Sequence, residues 1–151
     1  MVEIKKEKKK KSIFINGAIT PQKIAESISH HSNKTDIGAH EIFLGQVRAD
    51  QINNQTVNAI DYSAHEVMAN NVISEIREQA FNNYNLSCLH IYHSLGTVNV
   101  GEICLFVFSS SQHRKDAMDS CRFIVEEIKD KLPVFGKEIF DDGNHQWKVN
   151  K

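Results

Sequence analysis

The sequence predicts an α+β fold with largely antiparallel strand pairing, and three observations carry that expectation. Short apolar runs with alternating character recur along the chain, separated by polar or glycine-containing connections. Two longer stretches, residues 66–83 and 112–131, instead carry apolar residues at three- and four-residue steps, the spacing of an amphipathic helix. The elements follow one another as β-α-β-β-α-β-β-α-β, with no repeat or low-complexity linker to divide the chain.

The first strand is expected at residues 12–15 (Ser-Ile-Phe-Ile), ending in the turn-prone pair Asn16-Gly17. Thr20 followed by Pro21 is the signature of an N-cap with proline at the first helical position. Ile24, Ala25 and Ile28 then give a short helix to about His31. A strand follows over residues 39–47, and after the polar stretch 50–55, read as a loop, a second over 56–65 is expected to pair antiparallel with it. Met68, Val72, Ile76, Ala80 and Phe81 mark the buried stripe of the helix over 66–83. Residues 86–98 read as a strand broken at Gly96, and residues 101–110 as a buried strand. The last helix is expected over 112–131, capped by one of Ser109, Ser110 and Ser111, with a stripe of Ala117, Cys121, Ile124, Val125 and Ile128, and Pro133 stops it. Residues 137–140 and 146–149 are candidate closing strands, with Trp147 anchoring the C-terminus.

Composition bounds the function. At 151 residues, 40% hydrophobic and 25% charged, the chain suits one soluble domain with a sizeable core. It holds no apolar run near the ~20 residues of a membrane span, and its N-terminus lacks the apolar region of a secretory signal. Residues 1–11 carry six lysines and two glutamates, which reads as a solvated basic tail outside a domain spanning 12–151. That domain holds 12 basic against 17 acidic groups, a balance that argues against nucleic acid as the ligand. Cys88, Cys104 and Cys121, odd in number and set in apolar patterns, are expected to be buried free thiols, and the cytoplasm follows from that. His90 and His93 lie three apart on a strand, so they leave opposite faces and do not chelate one ion; no metal site is expected.

The basic residues at the ends of the apolar strands carry the chemistry. Arg48 ends the segment Gln46-Val47-Arg48, His113 and Arg114 open the last helix, Lys129 lies near its end, and Lys137 follows Gly136. A helix N-terminus carries partial positive charge, so His113 and Arg114 oppose it unless an anion such as a phosphate joins them. Ordinary surface charge is the competing reading. Arg114 and Lys129, fifteen residues apart, would be separated by about 22 Å on a straight helix (~1.5 Å per residue). Either one end alone is functional, or two copies pair so that one helix start meets the other's helix end.

Several segments together resemble the family of the large, catalytic subunit of molybdopterin synthase. They are Gly38-Ala39, the run from Phe43 to Arg48, Tyr62, Met68-Ala69, the run from His90 to Gly96, Gly101-Glu102, Ser110 to Arg114, and Pro133 to Glu138. The resemblance implies an α/β hammerhead-type fold with an additional small antiparallel β subdomain. It implies conversion of a cyclic pyranopterin monophosphate to molybdopterin by two sulfur additions. It implies a homodimer, each copy binding a small ubiquitin-like subunit that ends in Gly-Gly, a heterotetramer overall. Sulfur arrives on that partner's C-terminal thiocarboxylate, so no cofactor and no cysteine nucleophile is implied. Lys129 and Lys137 take the catalytic positions; Gln46, Val47, Arg48, His113, Arg114, Lys129, Gly136, Lys137 and Glu138 take substrate-binding ones, with the His-Arg pair acting across the dimer. The chain departs from the family at Gly136, where relatives often carry a basic residue, and at Ser94, where many carry arginine. A non-catalytic scaffold that binds the small subunit and a phosphorylated pterin is the alternative reading.

Overall fold

A computed structural model describes residues 11–149; the expected basic tail, residues 1–11, lies outside the described part except for Lys11. Three helices and eight strands follow in the order β1 (Phe14–Asn16), α1 (Pro21–Ser29), β2 (Ala39–Gln46), β3 (Gln51–Ile52), β4 (Gln55–Ala64), α2 (Glu66–Asn83), β5 (Cys88–Asn99), β6 (Ile103–Ser111), α3 (Arg114–Lys131), β7 (Val134–Phe140) and β8 (His145–Trp147). The strands form one sheet in the order β2-β6-β5-β4-β7-β8, with β1 added beside β5 and β3 beside β4. All pairings are antiparallel except β1 with β5.

β5 divides the sheet in two. Its first half, Cys88 to His93, pairs with β6, and its second half, Gly96 to Asn99, pairs with β4. Gly96 sits between them at φ +80°, a left-handed conformation that glycine adopts without steric cost. The expected break at Gly96 is thus a change of partner within one strand. The second half-sheet, β5-β4-β7-β8, is the small antiparallel addition.

β6 explains why its sequence is apolar without alternation. Leu105 and Val107 face the main core with α2 and α3, whereas Phe106 and Phe108 pack with Ile19 and Ile24 on the face covered by α1. A strand covered on both faces reads as a continuous hydrophobic run. On α3 the buried residues are Ala117, Ser120, Cys121, Ile124, Val125 and Ile128, the predicted stripe with one serine added. On α2 they are Ala69, Ile73, Ile76 and Ala80, while Met68 and Phe81 are 53% and 42% exposed. The buried stripe there is turned by one residue from the expected one, because the small Ala69 faces the sheet and the longer Met68 does not.

Four further expectations are corrected. β2 and β4 do not pair: β2 lies at the sheet edge against β6, with β5 also between them. Residues 51–55 are no loop but a two-residue strand and a tight turn, β3 pairing with β4 across Asn53 and Asn54. Both asparagines have positive φ, 51° and 63°, the geometry of the two-residue turns that match strand twist. The N-cap of α3 is His113, since Ser109, Ser110 and Ser111 all belong to β6; Ser111 Oγ accepts from the His113 N–H at 3.5 Å. Trp147 anchors nothing by burial, being 62% exposed. The α1 cap holds as read: Thr20 Oγ1 accepts from the Lys23 N–H at 3.2 Å and Pro21 is the first helical residue.

Candidate active site

The C-terminal half of α3 runs toward the small half-sheet and carries Lys129 into the angle between them. Two adjoining cavities meet there, and Lys129, Trp147 and Lys148 line both. The larger, about 900 Å³, is bounded by the end of β2 and the following loop through Gln46 and Arg48, and by Glu138 and Gln146 from β7 and β8. The smaller, about 310 Å³, is closed by Tyr62, His93, Phe135 and Gly136.

Lys129 is exposed at the mouth of these cavities, yet its amine is held below the usual lysine range. Burial is the largest cause; the Cys104 sulfur opposes it, and the positive charges of Lys148 and Arg48 add to it. A lysine so placed exchanges its proton more readily near neutral pH than a solvated one. Tyr62 is shifted the other way, well above the ordinary phenol value, first by burial and then by Cys104 and Glu138, so it stays a neutral donor. His93 is pushed down to about 4 by burial and by Lys129, against a hydrogen bond between its Nδ1 and the Ser94 carbonyl at 2.8 Å. Because a carbonyl only accepts, that bond puts the imidazole hydrogen on Nδ1. Tyr62 meets the His93 ring edge-on at 5.1 Å.

The predicted residues do not all converge. Gln46, Arg48, Lys129 and Glu138 line the larger cavity and Gly136 the smaller. Val47 lies beside them in sequence, but its side chain is in the core and its backbone is bonded to Glu102 and Gly101. Lys137 lines neither cavity: on an extended strand it leaves the opposite face from Gly136 and Glu138, in register with Asp61 on β4 and Trp147 on β8. His113 and Arg114 are exposed at the far end of α3 and also line neither. Within one chain the two ends of α3 do not form a common site.

Three site residues had escaped the sequence reading. Lys148 is held beside Gly136 by its backbone N–H, which donates to the Gly136 carbonyl at 2.7 Å. No side chain can stand at 136 without displacement, since a Cβ there would lie 2.9 Å from the Ile60 methyl and 3.3 Å from the Tyr62 ring. Lys148 thus provides a second amine beside a position that has no side chain. Trp147 and His93 complete the walls. The single tryptophan next to a lysine was visible in sequence, but only the pairing of β8 with β7 brings it to Lys129.

Comparison with known proteins places this geometry. The family model described as MoaE protein matches residues 16–131. Molybdopterin synthase catalytic subunits from Oryza sativa subsp. indica and Pyrococcus abyssi are 36% and 33% identical over 121 and 120 residues. These matches cover 80% of this chain in each case, and 62% and 80% of the relatives' own lengths. The chain thus spans less than two thirds of the plant relative. Among solved structures, the molybdopterin synthase of Staphylococcus aureus superposes with a TM-score of 0.80 at 24% identity, covering 91% of this chain and 96% of that one. A complex of subunits 1 and 2 of the Helicobacter pylori molybdopterin-converting factor gives 0.77 at 19% identity, covering 91% and 90%. These two likenesses concern the fold. Family-model coverage and sequence identity together establish that the chain belongs to the molybdopterin synthase catalytic-subunit (MoaE) family.

Proposed function

We propose that this protein is the catalytic subunit of a molybdopterin synthase, converting a cyclic pyranopterin monophosphate to molybdopterin with sulfur from a small ubiquitin-like partner. The observation that carries the reading is Lys129, which lines both cavities and whose amine the charges of Lys148 and Arg48 help hold below the usual lysine range. The phosphate is the anion those cations suit, and Gln46 and Glu138 offer hydrogen bonds to the pterin.

The partner's C-terminal thiocarboxylate enters the larger cavity. Leu44, Trp147 and Val149 are 41%, 62% and 76% exposed around it, an apolar rim of the kind that receives an extended tail. Its sulfur attacks a side-chain carbon of the pterin and forms a C–S bond as a C–O bond of that carbon breaks, the oxygen leaving with the opened phosphate or as water. Water then cleaves the acyl–sulfur bond, leaving a carboxylate on the partner and sulfur on the pterin, and a second round completes the dithiolene. Lys129 transfers protons as the cyclic phosphate opens and as the acyl group departs, and Lys148 supports the negative charge that develops. Sulfur comes entirely from the partner, so the reaction draws on no cofactor of this chain. The assembly is a homodimer of this chain with one small subunit on each copy, a heterotetramer. His113 and Arg114 of one copy then complete the phosphate site at the Lys129 end of the other. Three buried free thiols suit a reducing compartment, the cytoplasm; no helix among the described residues is long and apolar enough to cross a membrane.

Gly136 favours a second reading, a scaffold that binds the small subunit and a phosphorylated pterin without turnover. Incubating the protein with the cyclic precursor and a thiocarboxylated small subunit separates the two. Dithiolene formation that is lost in Lys129→Gln supports the enzyme, and pterin binding without dithiolene supports the scaffold.

A further inference from the structure

Away from the synthase site, three metal-ligating side chains converge on the opposite face of β5. His31, in the turn after α1, and Cys88 and His90, on β5, place Nε2 or Sγ donors all within 4.8 Å of one another. Cys88 and His90 are two apart on a strand and therefore leave the same face, unlike His90 and His93. His31 and Cys88 are buried and His90 is half-buried.

The orientation of the rings is set for ligation. His31 Nδ1 lies 2.6 Å from the Ser27 carbonyl, which can only accept, so the hydrogen is on Nδ1 and the Nε2 lone pair faces the cluster. Imidazole ligands of metals are commonly held in this way by an outer carbonyl. The Nε2 atoms of His31 and His90 stand 2.9 Å apart and Lys34 Nζ donates to Cys88 Sγ at 2.9 Å. A tetrahedral zinc site with bonds of ~2.0–2.3 Å needs donors roughly 3.3–3.6 Å apart, within reach of small rotamer changes from this arrangement.

We infer that His31, Cys88 and His90 form a three-donor zinc site that clips α1 to β5, its fourth position open to the adjoining cavity. One thiolate with two imidazoles is a donor set that suits zinc. Binding releases the Cys88 thiol proton to solvent and moves the His90 hydrogen from Nε2, where it is shared with His31 Nε2, to Nδ1. The thiolate and Glu26, which lines the cavity beside Lys23 and Lys34, offset the local positive charge. Lys34 swings off the sulfur or remains as its hydrogen-bond donor.

The fold gives such a clip a purpose. α1 has nine residues and none of them is fully buried. A helix of that length is marginal without tertiary support. Its attachments include Ile24 against the Phe106 and Phe108 cluster and the Lys23 ammonium over the Tyr92 ring at 4.4 Å. An ion held by the turn after α1 and by the sheet ties the helix where packing is thin.

The test is titration of the full chain with zinc against a chromophoric chelator, with cobalt as spectroscopic substitute. One equivalent is expected, with a thiolate-to-cobalt charge-transfer band, lost in Cys88→Ser and retained in Cys121→Ser. His31→Gln and His90→Gln should weaken zinc binding beyond the ~10–100-fold that loss of an outer hydrogen-bonding partner causes. Amide exchange in residues 21–31 should slow when zinc is added. Circular dichroism identifies any variant that fails to fold, and the remaining two then decide. Absence of stoichiometric binding, binding unchanged in the folded variants, a cobalt spectrum without the thiolate band, or unaltered exchange in α1 with zinc bound would each overturn the proposal. None of these readouts depends on synthase activity.

Discussion

Lys129 sits where burial and two neighbouring cations oppose its charge, and that position decides what substitution should do. Lys129→Gln keeps the length and removes the titrating amine, and turnover should fall by about 10²-fold or more if the group transfers protons. Lys148→Gln removes one of the charges that holds the Lys129 amine down. The apparent pKa of Lys129 should rise, moving the pH–rate profile to higher pH, which turnover measured across pH 6–10 will reveal. An unmoved profile would exclude Lys148 as the tuning charge. Lys137 leaves the other face of β7, in register with Asp61, and Lys137→Ala should turn over at the wild-type rate. A large loss would place Lys137 back among the catalytic groups. The sequence named Lys129 through its place near a helix end. It could not separate Lys137 from Lys148, because which strand face meets α3 depends on the sheet register.

Among the elements, the β3–β4 turn was written in the sequence and passed over. Asn53-Asn54, between the two-residue β3 and the ten-residue β4, is a two-residue hairpin loop, and asparagine tolerates the left-handed backbone that both positions adopt. Asn54→Val should cost roughly 1–2 kcal/mol in chemical denaturation, because a β-branched side chain resists positive φ. The same hairpin borders the larger cavity through Gln51 and Ile52, so its loosening should also raise the KM for the pterin. α3 was legible almost completely because its stripe of five apolar residues repeats at helical spacing over its whole buried face. α2 was legible in extent, Glu66 to Asn83, but not in rotation. Its apolar residues outnumber the positions the core accepts, and only packing selects Ala69 over Met68.

At the scale of the whole molecule, buried neutral histidines couple stability to acid. Burial holds His93 and His90 near 4 when folded, whereas an unfolded histidine titrates near ~6.5. The unfolded chain therefore binds more protons between those values. The stability these groups contribute is present above about pH 6.5 and is lost progressively as pH falls toward 4. Thermal melts from pH 7.5 to 4 should show Tm dropping across that window, less steeply in His93→Gln. A Tm independent of pH there would show that these rings are solvated. The separation of His113 and Arg114 from Lys129 belongs to this scale too, since one chain keeps them at opposite ends of α3. If two copies share each site, mixing inactive Arg114→Ala and Lys129→Ala proteins should restore part of the activity, one wild-type site forming in each mixed dimer. Mixed dimers with no recovered turnover would exclude the shared site.

Local chemistry in the sequence determined the elements: periodicity along α3, the Thr20-Pro21 cap, and the doubly apolar run of β6 each specify a structure through neighbours within a few residues. The ordered set of short motifs determined the family. Tertiary structure alone decided the rest. The change of partner at Gly96 moves β4 away from β2, the pairing of β8 with β7 sets Lys148 beside Gly136, and the turn after α1 carries His31 to Cys88 and His90, 57 and 59 residues further along the chain. Such juxtapositions depend on strand order and face, which act over long sequence separations and leave no local periodicity to read.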